Sequence, residues 1–109
     1  MDLSVTKSDA SVRLTLAGRI DALESPELSR LIDDHLADEP PHLVVDLYRV
    51  DYVDSAGLAV LVRVWRTQQT ANRRFSLVMP ESEAAKRIFS LAGFDQIFET
   101  EDAPADSLN

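Results

Sequence analysis

The sequence predicts an α/β domain whose mixed β-sheet begins with a hairpin and continues through alternating helices and strands, with three main helices. Three observations predict it. Apolar and polar residues alternate at the start of the chain, three later stretches carry apolar residues at helical spacing, and short branched apolar runs lie between them. A chain of 109 residues has the length of one domain, able to bury roughly two-thirds of the surface it exposes when unfolded.

The hairpin rests on Leu3 and Val5, then Val12, Leu14 and Leu16, which alternate with polar neighbours around Ser8-Asp9-Ala10. Gly18 ends the second strand. Ser25-Pro26 then has the form of a helix N-cap followed by proline at the first helical position, with Leu28, Leu31, Ile32 and Leu36 behind it. Pro40-Pro41 cannot continue that helix, which should stop near Asp38-Glu39. Leu43-Val44-Val45-Asp46-Leu47 is too short and too branched for a helix and is expected as a central strand covered on both faces. A second helix should run from about Ala56 to about Ala71, with Ser55 as its N-cap. A strand at Phe75 to Met79 follows, closed by Pro80. Ser82 should cap a third helix carrying Ala85, Ile88, Phe89 and Ala92, and Gly93 should stop it. Phe94 to Phe98 is expected as a last short strand, and the chain from Glu99 onward as a frayed acidic tail. The expected organisation is one domain over 1–100 and a flexible tail over 101–109, with right-handed crossovers wherever parallel strands are joined.

Composition excludes several classes of function. Eleven Lys and Arg against nineteen Asp and Glu leave a net charge of −8, which repels phosphate backbones and anionic lipid headgroups. The longest basic run is Arg73-Arg74, so neither direct nucleic-acid binding nor membrane insertion is expected. The chain has no cysteine, no secretory-type start and no apolar run near the ~20 residues of a membrane span, and a cytoplasmic location is expected. Glycine occurs only at positions 18, 57 and 93, which leaves no phosphate-binding loop and predicts no cofactor. Val53-Asp54-Ser55-Ala56-Gly57 is the nearest approach to a nucleophile elbow, but valine stands where the first glycine is needed. His35 and His42 lack the spacing of a metal site and are expected at the surface or at a boundary. No catalytic residue and no metal ligand are assigned, and an enzyme is not expected.

One segment stands out, Val50 to Val62, where a buried-type strand turns and delivers Ser55 to the first turn of an apolar helix. Unpaired N–H groups and the positive end of a helix dipole make such a place receptive to a phosphate on Ser55. Ala56 and Gly57 would keep the approach open, and glycine there otherwise costs the helix about 1 kcal/mol relative to alanine. A plainer account makes Ser55 an N-cap only, and Asp51 and Asp54 solvated turn carboxylates. The helix beyond carries Leu58, Val60, Leu61, Val62, Val64 and Trp65 over an arc of roughly 200°, wider than the ~100° stripe that a core requires. Either the helix is wedged between the sheet and another helix, or an apolar patch rimmed by Arg63 and Arg66 docks a partner.

The residues Val45-Asp46-Leu47 and Val53-Asp54-Ser55-Ala56-Gly57-Leu58-Ala59-Val60-Leu61 resemble the STAS family, in particular the stand-alone anti-sigma factor antagonists of bacteria. Leu16-Ala17-Gly18-Arg19-Ile20-Asp21 is similar to that family's turn after the second strand, and Ile88 to Phe94 to its closing helix, so the resemblance spans about residues 3 to 100. It implies a STAS-like sheet and a partner-switching cycle. An anti-sigma factor that is also a serine kinase binds the unmodified antagonist and releases the sigma factor. Phosphorylation of the motif serine, here Ser55, abolishes binding, and a PP2C-type phosphatase restores it. The implied partner-binding residues are Asp21, Asp54, Ser55, Ala56, Gly57, Leu58, Ala59, Val60, Arg63 and Val64. Ala56 stands where many members have a second serine, and Ala59 where glycine is common. Two alternatives stay open. The run Gly57 to Val62 is also similar to STAS subunits that act as permanent ATPase-binding modules in bacterial lipid-transport systems, and a nucleotide-binding STAS module is the other.

Overall fold

A computed structural model of the chain describes residues 1–103. Its five-stranded sheet follows chain order: β1 (Asp2–Lys7), β2 (Val12–Ile20), β3 (His42–Val53), β4 (Arg74–Val78) and β5 (Glu99–Glu101). The connections hold helices α1 (Ser25–Leu36), α2 (Ser55–Thr70) and α3 (Glu83–Leu91). β1 and β2 form the expected antiparallel hairpin, Leu3 opposite Leu16 and Lys7 opposite Val12, closed by the Ser8 N–H donating to the Ser11 carbonyl at 2.8 Å. From β2 to β5 each strand is parallel to the next. Because right-handed crossovers step always in the same direction across the sheet, all three helices fall on one face of it.

That face is the core. Leu14, Leu16, Leu43, Val45, Leu47 and Leu77 from the strands meet Leu28 and Ile32 of α1, Leu61 and Val64 of α2 and Phe89 of α3, all essentially solvent-free. Gln68 is buried at the far end of α2, where its side-chain amide donates to the carbonyls of Pro40 (3.1 Å) and Arg74 (3.0 Å) and ties the starts of β3 and β4 to the helix.

Among the described residues the opposite face has no helix and is built from polar rows. Register sets Arg13, Val44, Ser76 and Glu99 side by side, with Thr15, Asp46, Val78 and Glu101 in the next row. Arg13 donates to the buried Asp46 carboxylate at 2.7 Å, His42 Nε2 lies 2.7 Å from Ser76 Oγ and 3.5 Å from Glu101, and Arg74 pairs with Glu99. Val44 and Asp46 are buried beneath these side chains. β3 is thus covered on both faces as expected, on one side by long side chains rather than by a second helical layer.

Boundaries differ from expectation in several places: β2 does not end at Gly18 but runs to Ile20, and α1 stops at Leu36, short of Asp38-Glu39. β3 continues to Val53 because, after irregularities near Ala17 and Gly18, Gly18 to Ile20 pair with Val50 to Val53. Ser25 is the first residue of α1 rather than its cap. The N-cap is Glu24, with no side-chain cap, and the Asp21 carboxylate orders the turn leading into the helix by accepting from the N–H groups of Leu23 and Glu24, each at 3.1 Å. Ser55 likewise lies inside α2, with Asp54 as its cap. Finally, Phe94 to Phe98 is not a strand. Gly93, at φ +75°, ends α3 as expected, and a 3-10 turn over Phe94–Gln96 follows. Phe98 then packs against Trp65, Phe75 and Phe94 at centroid distances of 6.0, 5.8 and 5.9 Å. The last strand comes later, at Glu99–Glu101, where the tail was expected to be frayed already, because Arg74, Arg13 and His42 supply partners for its carboxylates. Of the expected tail, residues 104–109 lie outside the described residues.

Burial, together with the neighbouring Arg74 guanidinium, holds the His42 imidazole below its ordinary value of 6.5, and the Glu101 and Glu99 carboxylates oppose this. A histidine whose pKa is lowered by folding takes up its proton more readily in the unfolded chain, so its contribution to stability is present above about pH 6.5 and is lost as the pH falls below that value. Urea unfolding at pH 7.5 and pH 5.5 should therefore show a larger loss of stability for the wild type than for His42→Gln. Equal losses in the two proteins would exclude this role for His42.

Candidate functional site

The ends of β2 and β3 and the first turn of α2 meet at one end of the sheet, and the meeting point is glycine-dependent. A Cβ on Gly57 would lie 2.7 Å from the carbonyl oxygen of Ile20, 2.8 Å from Ile20 Cγ2 and 3.2 Å from Val53 Cγ1. Only a residue without a side chain lets the helix start this close to the end of β2. The smallness of Gly57 therefore serves packing, and the residue is buried rather than opening a path to the serine.

Asp54 holds the corner together. Its Oδ1 accepts from the N–H groups of Ala56 (3.0 Å) and Gly57 (3.1 Å), its Oδ2 from the N–H of Ala22 (3.0 Å), and its own N–H donates to the Ile20 carbonyl at 3.2 Å. One carboxylate thus caps α2 and clamps the β2–α1 loop to it. Asp54 is neither a solvated turn carboxylate nor an idle neighbour of the serine. The N–H groups of Ala56 and Gly57, expected to be free for a phosphate, are occupied by it. Beside it, Asp21 Oδ2 lies 3.6 Å from Arg19 Nε, and the Arg19 guanidinium stands 4.1 Å from the centroid of the Tyr52 ring. Asp51 is exposed, and its carbonyl accepts from the Ser82 hydroxyl at 3.4 Å.

Ser55 is exposed, and its hydroxyl has no hydrogen-bond partner among the described residues. Its side chain opens onto a groove of about 870 Å³ along the outer side of α2, lined by Leu58, Ala59, Val62, Arg63 and Arg66 and closed on the other side by Ala92 and Phe94. The expected partner-binding residues therefore divide. Asp21, Asp54, Ser55, Ala56, Leu58, Ala59 and Arg63 gather around this corner and groove. Val60 and Val64 face the core, at 9% and 0% exposure, and with Gly57 offer a partner little or no surface; Leu58 belongs to the core as well, at 6% exposure, and meets the groove only at its edge. Both accounts of the wide apolar arc hold in part: the helix is wedged against sheet and α1 through Val60, Leu61 and Val64, while Leu58, Ala59 and Val62 line the groove. Thr67, Thr70, Ala92 and Phe94 were not expected there; the last two come from beyond α3, and spacing within one helix carries no signal for them.

Among the described residues no three His, Cys, Asp or Glu side chains gather as a metal site requires, and no helix is long and apolar enough to cross a membrane.

The chain matches the family model described as Mlab, STAS domain, over residues 3–99. It belongs to the STAS family. An anti-sigma-B factor antagonist of Listeria monocytogenes is 30% identical over 89 residues, 81% of this chain and 76% of the relative. The crystal structure of an anti-sigma factor antagonist from Mycobacterium paratuberculosis superposes with a TM-score of 0.85 at 29% identity, covering 98% of this chain and 90% of that one. The fold is shared also with Bacillus SpoIIAA in its phosphorylated form, at a TM-score of 0.73, 16% identity and 98% and 96% coverage.

Two substitutions test the corner. Gly57→Ala should lower the unfolding free energy by about 1–2 kcal/mol, the cost of overpacking against a backbone oxygen less the gain in helix propensity. Asp54→Ala should cost about 2 kcal/mol through the lost cap and the unpaired Ala22 N–H. Urea titration measures both, and a neutral or stabilising Gly57→Ala would contradict the close approach.

Proposed function

We propose that the chain is an anti-sigma factor antagonist that works by partner switching in the cytoplasm, with Ser55 as the switch. The single observation that carries this reading is the exposed, unbonded Ser55 hydroxyl set between a carboxylate clamp and an apolar groove. The names of the Listeria and mycobacterial relatives support it. In the unmodified state a neutral hydroxyl permits close apolar contact along α2, and an anti-sigma factor that is also a serine kinase binds there and releases its sigma factor. The kinase transfers the γ-phosphoryl group of ATP to Ser55 Oγ; the hydroxyl proton leaves and ADP is released. A PP2C-type phosphatase restores the hydroxyl by hydrolysis, releasing inorganic phosphate.

The geometry supplies the physical reason for release. The phosphate brings about 1.5 to 2 negative charges to a turn where Asp54 already occupies the N–H groups of Ala56 and Gly57 and Asp21 stands across the loop. With the N–H groups of Ala56 and Gly57 already taken, it must keep most of its hydration, which opposes a closed interface. Asp54 is held by three N–H groups and does not move aside without undoing the corner. Release then requires no refolding, only the loss of a dry contact.

Incubation with candidate host kinases and ATP, followed by intact-mass and peptide mapping, should find one phosphate, on Ser55. Titration of the cognate anti-sigma kinase should show Ser55→Ala binding persistently and Ser55→Glu binding roughly 30-fold or more weakly, as expected for 2 kcal/mol or more of uncompensated charge burial. Equal affinities for wild type, alanine and glutamate variants would remove the switch. Recovery of a transport ATPase in place of a kinase from the native host would support the permanent-interface alternative.

A further inference from the structure

The groove extends well past the switch serine, from Ser55 to Ala71, about 24 Å at 1.5 Å per residue, or four turns of a facing helix. Its lining includes two guanidiniums, Arg63 and Arg66, and no carboxylate. In a chain with nineteen Asp and Glu against eleven Lys and Arg, that is a local reversal of sign, carried by Arg66 because Asp33 beside the groove meets the charge of Arg63. Arg63 leans toward α1, 3.0 Å from the Asp33 carboxylate and 2.7 Å from the Ser29 hydroxyl. Arg66 has no carboxylate partner among the described residues and stays exposed. Alanines at 59 and 92 leave room for another backbone to come close, as small residues do at helix contacts.

Resting on the reading of α2 as the partner surface, we propose that the groove takes an amphipathic helix of the partner, apolar ridge inward, with carboxylates placed to meet Arg66 and Arg63. Charge then sets the direction in which the helix lies, and the apolar floor supplies the contact. Arg66 is eleven residues beyond Ser55, about 16 Å along the axis, or roughly two Debye lengths at physiological ionic strength. A phosphate on Ser55 leaves that far end unaltered. The near end of the groove is the switch and the far end an anchor that modification does not reach.

The probe is a pair of synthetic 16-residue helical peptides with one leucine ridge, flanked in one by glutamates and in the other by lysines, titrated into the full ¹⁵N-labelled chain. The glutamate peptide should bind about tenfold more tightly at low salt, shift the amide resonances of Ala59, Val62, Arg66 and Thr70, and lose its advantage as salt rises. Arg66→Glu, an exposed change whose folding is checked by circular dichroism, should invert the preference. Equal binding of the two peptides, shifts confined to other surfaces, or an unchanged preference in Arg66→Glu would overturn the proposal. Because no kinase, ATP or Ser55 variant enters the experiment, its failure leaves the Ser55 switch standing. Loss of the switch with the inverted preference intact would remove only the functional reading on which the partner assignment rests.

Discussion

The contact between the first turn of α2 and the end of β2 is the constraint on which the site depends. At Gly57 the helix meets the Ile20 carbonyl with no room for a side chain, and Asp54 bonds both segments at once. Close approach decides where the helix begins, and the cap decides which residue follows. Together they leave Ser55 as the first side chain of α2 outside the core, held by a rigid corner rather than by a mobile loop. A hydroxyl presented in this way has little ordering entropy left to lose in any encounter.

Sheet order does the rest. A hairpin followed by parallel strands laid down in sequence forces the three helices onto one face. They pack there side by side, and the groove is what remains along the outer flank of α2, where the chain leaving α3 approaches it at Ala92 and Phe94. Parallel sheets are ordinarily covered on both faces. Here the second cover is made by Arg13, His42, Asp46, Arg74 and two glutamates, whose charges satisfy one another over Val44 and Val78.

Much of this was readable from residues. Alternation around Ser8-Asp9-Ala10 gave the hairpin, helical spacing gave three helices, and Ser82 and Gly93 bounded α3 as expected. What could not be read was which of several polar residues at a turn takes the cap. Asp21 precedes Ser25, and Asp54 precedes Ser55; in both turns a single aspartate oxygen accepts from two successive N–H groups, and neither serine accepts one. Ser55 was expected as the cap of α2; Asp54 takes that role and leaves the serine hydroxyl exposed and unbonded. β5 escaped because two of its three residues are glutamates, which strand propensity disfavours, and the cations of neighbouring strands, distant in sequence, pair with them.

The margins of the sheet have a consequence for the free protein. β5 is three residues long and carries Glu99 and Glu101, while β1, at the other margin, alternates Ser4 and Thr6 with Leu3 and Val5 and ends on Lys7. Open strand borders recruit other strands, and short length and like charge are the usual deterrents. Two copies meeting border to border at β5 would bring glutamates against glutamates. Such a margin opposes edge-to-edge stacking of copies.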